Sequence, residues 1–446
     1  MITSVTHAPH TYTPAWAPVV WTLYSDATAP TGFKYVLDVY IKGATMDTNI
    51  GRIRQAPNLL GYASVDISTL VFPYLNPSNA LLEVDRILGS TANFLESEDI
   101  VQGVYIMVGE ERGGVIYSGL TGATQAGEPG YTATSRDGDY VRVWGAANGT
   151  IDAYKNDISG ATSYGSYDSY VMKASTPGHF LTSGVTHHTL RTTDHHTLTF
   201  FNRWYGATSS TLSTPVGLLW NMYNSAGATV GSNSIQLSTI TGAGPRVTAG
   251  GTVTWTTPQQ EIAVVAVGPV DLSITNVAYY EVYLYDANAA RVSDKVGFTI
   301  DDDCPGEFPS IRFSWLNKHG GRDYWNFNKG YETSTDSEDS TYTRDPGQWS
   351  EDAWSLKPWK SGIRVYNKNL KNSIKTTSDW LTEAEMEHLR GLFSSPNILV
   401  YMPGETMPQS CYINDSSFTS ILKLAQKMYN LEFTFTLAFG DKVQNC

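Results

Sequence analysis

Charge is scarce in this chain: Asp, Glu, Lys and Arg make up 16% of its 446 residues, against about 25% in ordinary soluble domains. The balance is acidic, with 43 Asp and Glu against 30 Lys and Arg and a net charge of -13. No block of Lys or Arg offers the electrostatic footprint that phosphate neutralisation requires, so nucleic acid is not an expected partner. Cysteine is rarer still. Cys304, Cys411 and Cys446 lie far apart and in no metal-ligand spacing, which excludes a disulfide scaffold and predicts free thiols. No apolar run reaches the 18 or so residues of a membrane span, so no membrane insertion is expected. The segment Met1 to His7 has neither a basic start nor an apolar stretch, predicting synthesis and folding in a cytoplasm. A phosphate-cradling glycine loop ahead of a helix, a Gly-x-Ser-x-Gly elbow and a plausible Cys-His pair are all missing. An enzyme has no anchor here, and no cofactor is expected.

What fills the gap is Tyr, Thr, Ser, Gly and Asn, with 27 Tyr, 12 Trp and 39 Gly. Such a composition is β-rich, and its uncharged, aromatic surface suits a protein packed against neighbours, because interface cores are depleted in charge and enriched in Tyr and Trp. A secreted β-protein with a Tyr-rich sugar-binding face fits the same numbers. Since single cores stop growing near 250 to 300 residues, the length predicts about three domains.

The first, residues 1–110, reads as a β-sandwich. In Lys34 to Ile41 the residues Tyr35, Leu37, Val39 and Ile41 share one side and Val36 and Tyr40 the other, the pattern of a core strand. Val101 to Val108 is a second apolar strand, ending at the turn-rich stretch Gly109 to Gly114. Residues 111–300 read as a middle, jelly-roll-like β domain with Tyr/Gly/Ser-rich loops; Tyr140 to Trp144 is the clearest strand of its first part. Strands at Thr197–Phe201, Val216–Tyr223, Gln260–Val267 and Ala278–Tyr285 follow at intervals that favour all-β over βαβ architecture.

Residues 301–446 differ by one well-marked helix. Thr382 and Glu385 form a capping box, and Leu381 and Met386 sit at the positions of a hydrophobic staple. Leu389, Leu392 and Phe393 supply the buried stripe, and Pro396 ends the helix. Leu431, Phe433, Phe435, Leu437 and Phe439 alternate with smaller or polar residues, predicting a strand with one face in a core. This domain is expected to be α+β. The acidic, Ser/Thr-rich stretch Glu332 to Asp345 reads as an exposed loop, and Asp301-Asp302-Asp303 as a solvated linker.

Three stretches of this last segment carry a family resemblance. Ile311 to Phe327 contains a Trp-Leu-Asn strand (Trp315, Leu316, Asn317), the turn Gly320-Gly321 and an Asp-Tyr-x-x-Phe strand (Asp323 to Phe327). Ser378 to Pro396 contains the capped helix before a Ser-Pro, and Ile413 to Phe418 the strand that follows. Phe33 to Ile41, the turn Ala56-Pro57-Asn58 and the strand end Val108 to Glu111 extend the match to the N-terminal third. These stretches resemble tail-associated structural proteins of tailed bacteriophages that infect Bacteroidetes and related bacteria. The resemblance implies a virion location in the tail. It also implies a cyclic homo-oligomer, a ring, hub, baseplate or sleeve, in contact with other tail proteins. Trp315, Tyr324, Trp325, Phe327 and Trp380 are the aromatic residues assigned to assembly contacts. From the residues alone, the Gly320-Gly321 hairpin supplies positive φ at its turn and cross-strand aromatic packing, and nothing catalytic.

Other chemistry is available to a few clusters. His187, His188, His195 and His196 with Asp194 could bind Zn²⁺ or a similar ion, although adjacent histidines on a strand point to opposite faces, so one of each pair at most faces a shared site. Glu110 and Glu111 cannot act as a glycosidase pair by adjacency alone, since that chemistry needs two carboxylates about 5–9 Å apart across a sugar. Tyr164, Tyr167, Tyr170, Trp204 and Tyr205 could stack on a host surface glycan. That would make the middle domain a receptor-binding carbohydrate module, the alternative to a purely structural role.

Overall fold

The computed structural model describes residues 3–7, 9, 12–25, 32–41, 47–75, 94–96, 100–117, 141–146, 170, 172, 177–183, 185–202, 215–237, 262–286, 288–301, 309–344, 347–350, 353–356, 359, 362–405, 407–414 and 429–439. The fold is mainly β, as the composition and alternation predict. It divides into two compact units, Met1–Asp302 with Leu316–Asp323, and Asp303–Trp315 with Tyr324–Cys446.

In the first unit, a sheet of strands Thr3–His7, Val20–Ser25 and Tyr62–Asp66 lies opposite a larger one. The larger sheet runs Tyr12–Pro14, Val141–Trp144, Val101–Arg112, Lys34–Ile41, Thr48–Gln55, with Val115–Tyr117 added to Val101–Arg112. Trp21, Leu23, Ala63 and Val65 from the first meet Tyr35, Leu37, Val39, Val104, Ile106 and Val143 from the second. Burying each large side chain there contributes about 1.5–3 kcal/mol. Lys34–Ile41 is buried along nearly its whole length, because its second face is covered as well. The boundary expected at residue 110 falls inside Val101–Arg112, and Val141–Trp144, read as part of the middle domain, pairs with that strand. Local pattern could not show this, since strand membership is decided by the partner.

The rest of this unit is a second pair of sheets. One runs His187–Leu190, Val296–Ile300, Tyr279–Tyr285, Gly217–Tyr223, Thr229–Gln236; the other runs Thr197–Phe201, Ile262–Ala266, Phe94–Glu96. Phe200, Ala263 and Val265 face a core with Leu218, Val282, Leu284 and Phe298. Phe201, Ile262, Val264 and Ala266 face another with Ile100, Val101, Ala146 and Leu181. The strand Ile262–Ala266 is therefore buried on both faces and reads as an unbroken apolar run,. His187–Leu190 pairs in parallel with Val296–Ile300, and Phe94–Glu96 enters from the preceding segment. The first is a parallel pairing, and the second brings a strand from before residue 111 into the sheets of the segment expected as the jelly-roll-like middle.

The second unit is built on one sheet in the order Arg322–Phe327, Ile311–Leu316, Ile398–Tyr401, Gln409–Ile413, Glu432–Leu437, Gly362–Thr377, Tyr331–Arg344. The helix Glu383–Ser394 has its capping box in place: Thr382 Oγ1 accepts from the Glu385 N–H at 3.3 Å, and Glu385 accepts from the Thr382 N–H at 2.8 Å. Leu381, Met386, Leu389 and Leu392 pack on Ile311, Phe313, Phe433 and Phe435. Phe439 lies past the end of its strand and is exposed, so the alternating core face stops at Leu437.

Candidate functional site

The stretch expected as an acidic loop is a strand. Tyr331–Arg344 pairs antiparallel with Gly362–Thr377 along its entire length, from Tyr331 opposite Thr376 to Arg344 opposite Gly362. The reason is chemical: Thr333, Thr335, Thr341 and Thr343 favour the pleated backbone, and the partner strand supplies the opposite charge. Lys371 Nζ donates to Glu338 at 2.9 Å, and Lys368 approaches Asp339 at 3.6 Å. The hydrogen bond to Glu338, and then that carboxylate's charge, pushes the Lys371 ammonium above the usual lysine pKa.

Only Ser373–Thr377 of the returning strand has a further neighbour, Glu432–Leu437. Among the described residues, Thr335–Arg344 and Gly362–Asn372 therefore form a two-stranded ribbon beyond the sheet. At about 3.3 Å per residue it is about 30 Å long. Nearly every residue of its outgoing strand is exposed. An irregularity between Ser340 and Thr341 adds one residue, Tyr366, on the returning strand, and its ring comes to 6.2 Å from that of Tyr342.

At the apex a second small hairpin, Gly347–Ser350 with Ala353–Leu356, sets Trp349 opposite Trp354. Trp354 lies directly over Gly347, where any Cβ would collide with the indole. Trp349 is 72% exposed, Trp354 51% and Trp359 71%, with Ile363, Val365, Tyr342 and Tyr366 exposed beside them. Trp and Tyr in such numbers are the residues that dominate contact energies once desolvated.

The aromatic residues assigned to assembly are placed differently. Trp315, Tyr324 and Phe327 are buried within the chain, Trp315 and Phe327 among Phe313, Phe433 and the helix, and Trp325 is half-buried against the same core. Their burial takes Trp315, Tyr324 and Phe327 out of any surface contact, because a hairpin of aromatics fills its own core first. Of that set Trp380 alone is exposed. Tyr164, Tyr167, Trp204 and Tyr205 lie outside the described residues, and Tyr170 packs against His179 and His319, with ring centroids 5.7 and 5.3 Å away.

His187 and His188 separate as strand geometry requires,. His187 is exposed, stacked on Tyr279, with its Nε2 2.9 Å from the Thr299 hydroxyl. His188 is buried beside His196, ring centroids 4.7 Å apart, and both pack on Phe298. His195 reaches Asp271 at 2.8 Å, while Asp194 accepts from the Arg191 N–H at 2.9 Å and closes a turn. Among the described residues no three His, Cys, Asp or Glu side chains gather as a metal site. Glu110, fully buried, is ion-paired with Arg112, and Glu111 lies 3.4 Å from Arg54, so these carboxylates serve two separate ion pairs. Burial alone raises the Cys411 thiol to about 12. Cys304 and Cys446, like Asp302 and Asp303, lie outside the described residues.

Sequence reasoning missed the ribbon and its tryptophan apex. The signal for the ribbon was there: acidic residues at Glu332, Asp336, Glu338 and Asp339 are mirrored by basic ones at Arg364, Lys368, Lys371 and Lys375 about 30–40 positions later, a spacing compatible with a long hairpin. No protein-family model matches the chain, and no curated protein does either.

Proposed function

We propose that this chain is a structural, self-assembling protein of a bacteriophage tail, acting by symmetric association with copies of itself and contact with other virion proteins, rather than an enzyme. The observation that carries the assembly part is the ribbon. Two strands alone are marginally stable in water at best, and this pair projects beyond its sheet with exposed Trp349, Trp354 and Trp359 at its end. A lone protein gains nothing from holding such a surface in water, whereas an oligomer buries it. The tail location rests on the resemblance in Ile311 to Phe327, Ser378 to Pro396 and Ile413 to Phe418.

The test is the mass of the purified protein across a concentration series, with and without a chelator. Closed oligomers of fixed stoichiometry, indifferent to chelator, are the expected result. A chain that remains monomeric at every concentration and binds a glycan would instead make it a receptor-binding module.

A further inference from the structure

The ribbon has two long edges, and they differ in sign. Its outgoing strand, Tyr331–Arg344, carries Glu332, Asp336, Glu338 and Asp339 with a single base, Arg344. Its returning strand, Gly362–Thr377, carries Arg364, Lys368, Lys371 and Lys375 and no acid. The outgoing strand ends the order of the seven-stranded sheet, so its far edge has no neighbouring strand among the described residues. The far edge of Gly362–Asn372 has none either, since the next strand reaches only Ser373–Thr377. Open edges of this kind are templates for pairing with another chain.

Charge on an edge ordinarily discourages such pairing, and it does so best when both edges carry the same sign. Here the signs are opposite, so one edge of a copy attracts the other edge of the next. We infer that the ribbons of successive copies join side by side into a continuous sheet, the acidic strand Tyr331–Arg344 of one copy pairing with the basic strand Gly362–Asn372 of its neighbour. This rests on the self-assembly reading above and names its contact.

The geometry is consistent with that contact. When neighbouring ribbons point the same way, the outgoing strand of one meets the returning strand of the next antiparallel, the more stable pairing. Asp336 and Glu338, on one face of the outgoing strand, then come opposite lysines on two sides. Lys371 of the same copy is one side, and the basic strand of the neighbour is the other. The contact uses two different edges, so it is heterologous, and a rotation that closes gives a ring while one that does not gives a tube or filament. The ribbon gains a third and a fourth strand, which is what a two-stranded element lacks for stability.

Charge reversal and mixing test this. Three variants of the full chain are compared by sedimentation with wild type: Glu338→Lys/Asp339→Lys, Lys368→Glu/Lys371→Glu, and the fourfold swap of all four, which reverses both observed ion pairs. Each double variant places like charges across the proposed contact and associates about tenfold or more weakly than wild type. Mixing the two double variants restores association, because each then meets an oppositely charged edge. The fourfold swap, which restores pairing within and between copies, assembles as wild type and controls for folding. Wild-type oligomers with both double variants unaffected would overturn the sheet contact and leave self-assembly standing. Recovery in the fourfold swap but not in the mixture would also overturn it, by showing that only the internal pairing of the ribbon matters. A wild-type chain that never associates would overturn both readings.

Discussion

Replacing Asp323 by Ala isolates one buried anchor whose value can be worked out in advance. The carboxylate is almost wholly buried and accepts from Thr182 Oγ1 at 2.6 Å, from the Ser183 N–H at 3.2 Å and from Ser183 Oγ. A hydrogen bond to a charged group contributes about 1.5–3 kcal/mol. The simple sum overstates the loss, since Thr182 and Ser183 are themselves half-exposed and water can satisfy their donors once the acceptor is gone. We expect a destabilisation of about 2–4 kcal/mol. At about 2–4 °C per kcal/mol for a unit of this size, that is a fall of roughly 5–15 °C in its melting midpoint. Scanning calorimetry of the whole chain reads the transition of the first unit, to which Leu316–Asp323 belongs. Asp323→Asn keeps one acceptor oxygen and loses less than Ala. A midpoint for Asp323→Ala within about 1 °C of wild type would refute the reasoning, because it would mean the carboxylate's desolvation cost had cancelled its hydrogen bonds.

Two further predictions concern single elements. Thr382→Ala removes the acceptor for the Glu385 N–H and half of the capping box; it costs about 1 kcal/mol, read as a lower urea midpoint for the second unit, while Thr382→Ser is close to neutral. Glu281 feels burial most strongly, which alone would raise its pKa, but hydrogen bonds from Lys295 and Tyr279 outweigh it and the net shift is downward. A lowered folded pKa contributes stability above the ordinary glutamate value that is lost as pH falls through the folded one. Glu281→Gln therefore lowers stability at neutral pH and flattens its decline below about pH 5, measured as urea midpoints along a pH series; an unchanged acid limb would count against it. The same contacts leave the Tyr279 phenol, raised first by burial and then by Glu281, at about 12.

How much of this was legible in the chain depended on where each element finds its partner. The helix Glu383–Ser394 was readable because its cap, staple and stripe all lie within 15 residues of one another. Lys34–Ile41 and Glu432–Leu437 were readable because alternation reports a core face without naming what covers it. Phe94–Glu96 was not, since three residues carry no period and its partner Ile262–Ala266 is distant in sequence. The ribbon escaped for a different reason: exposed on both faces, it has no apolar rhythm, and its signature is the matching of Asp336, Glu338 and Asp339 to Lys368 and Lys371 across a turn. Aromatic content misled in the other direction, assigning Trp315 and Phe327 to the surface when a small α+β core needed them. Gly320 has the positive φ expected of the hairpin turn, at 83°. Gly321 answers to another demand, because a Cβ there would overlap the Leu181 carbonyl oxygen.

The strand Phe94–Glu96 sets a timetable for synthesis. Its partner Ile262–Ala266 leaves the ribosome some 10–30 s later at about 5–20 residues per second. Until then the strand has no ladder, and the apolar residues Ile100 and Val101 beside it lack the side chains of Ile262, Val264 and Ala266 that cover them in the finished fold. The nascent N-terminal sandwich therefore waits, partly open, for a segment nearly 170 residues downstream. A fragment cut near residue 110 would keep that exposed seam permanently, and its tendency to aggregate would report how long the intact chain must be protected while it is made.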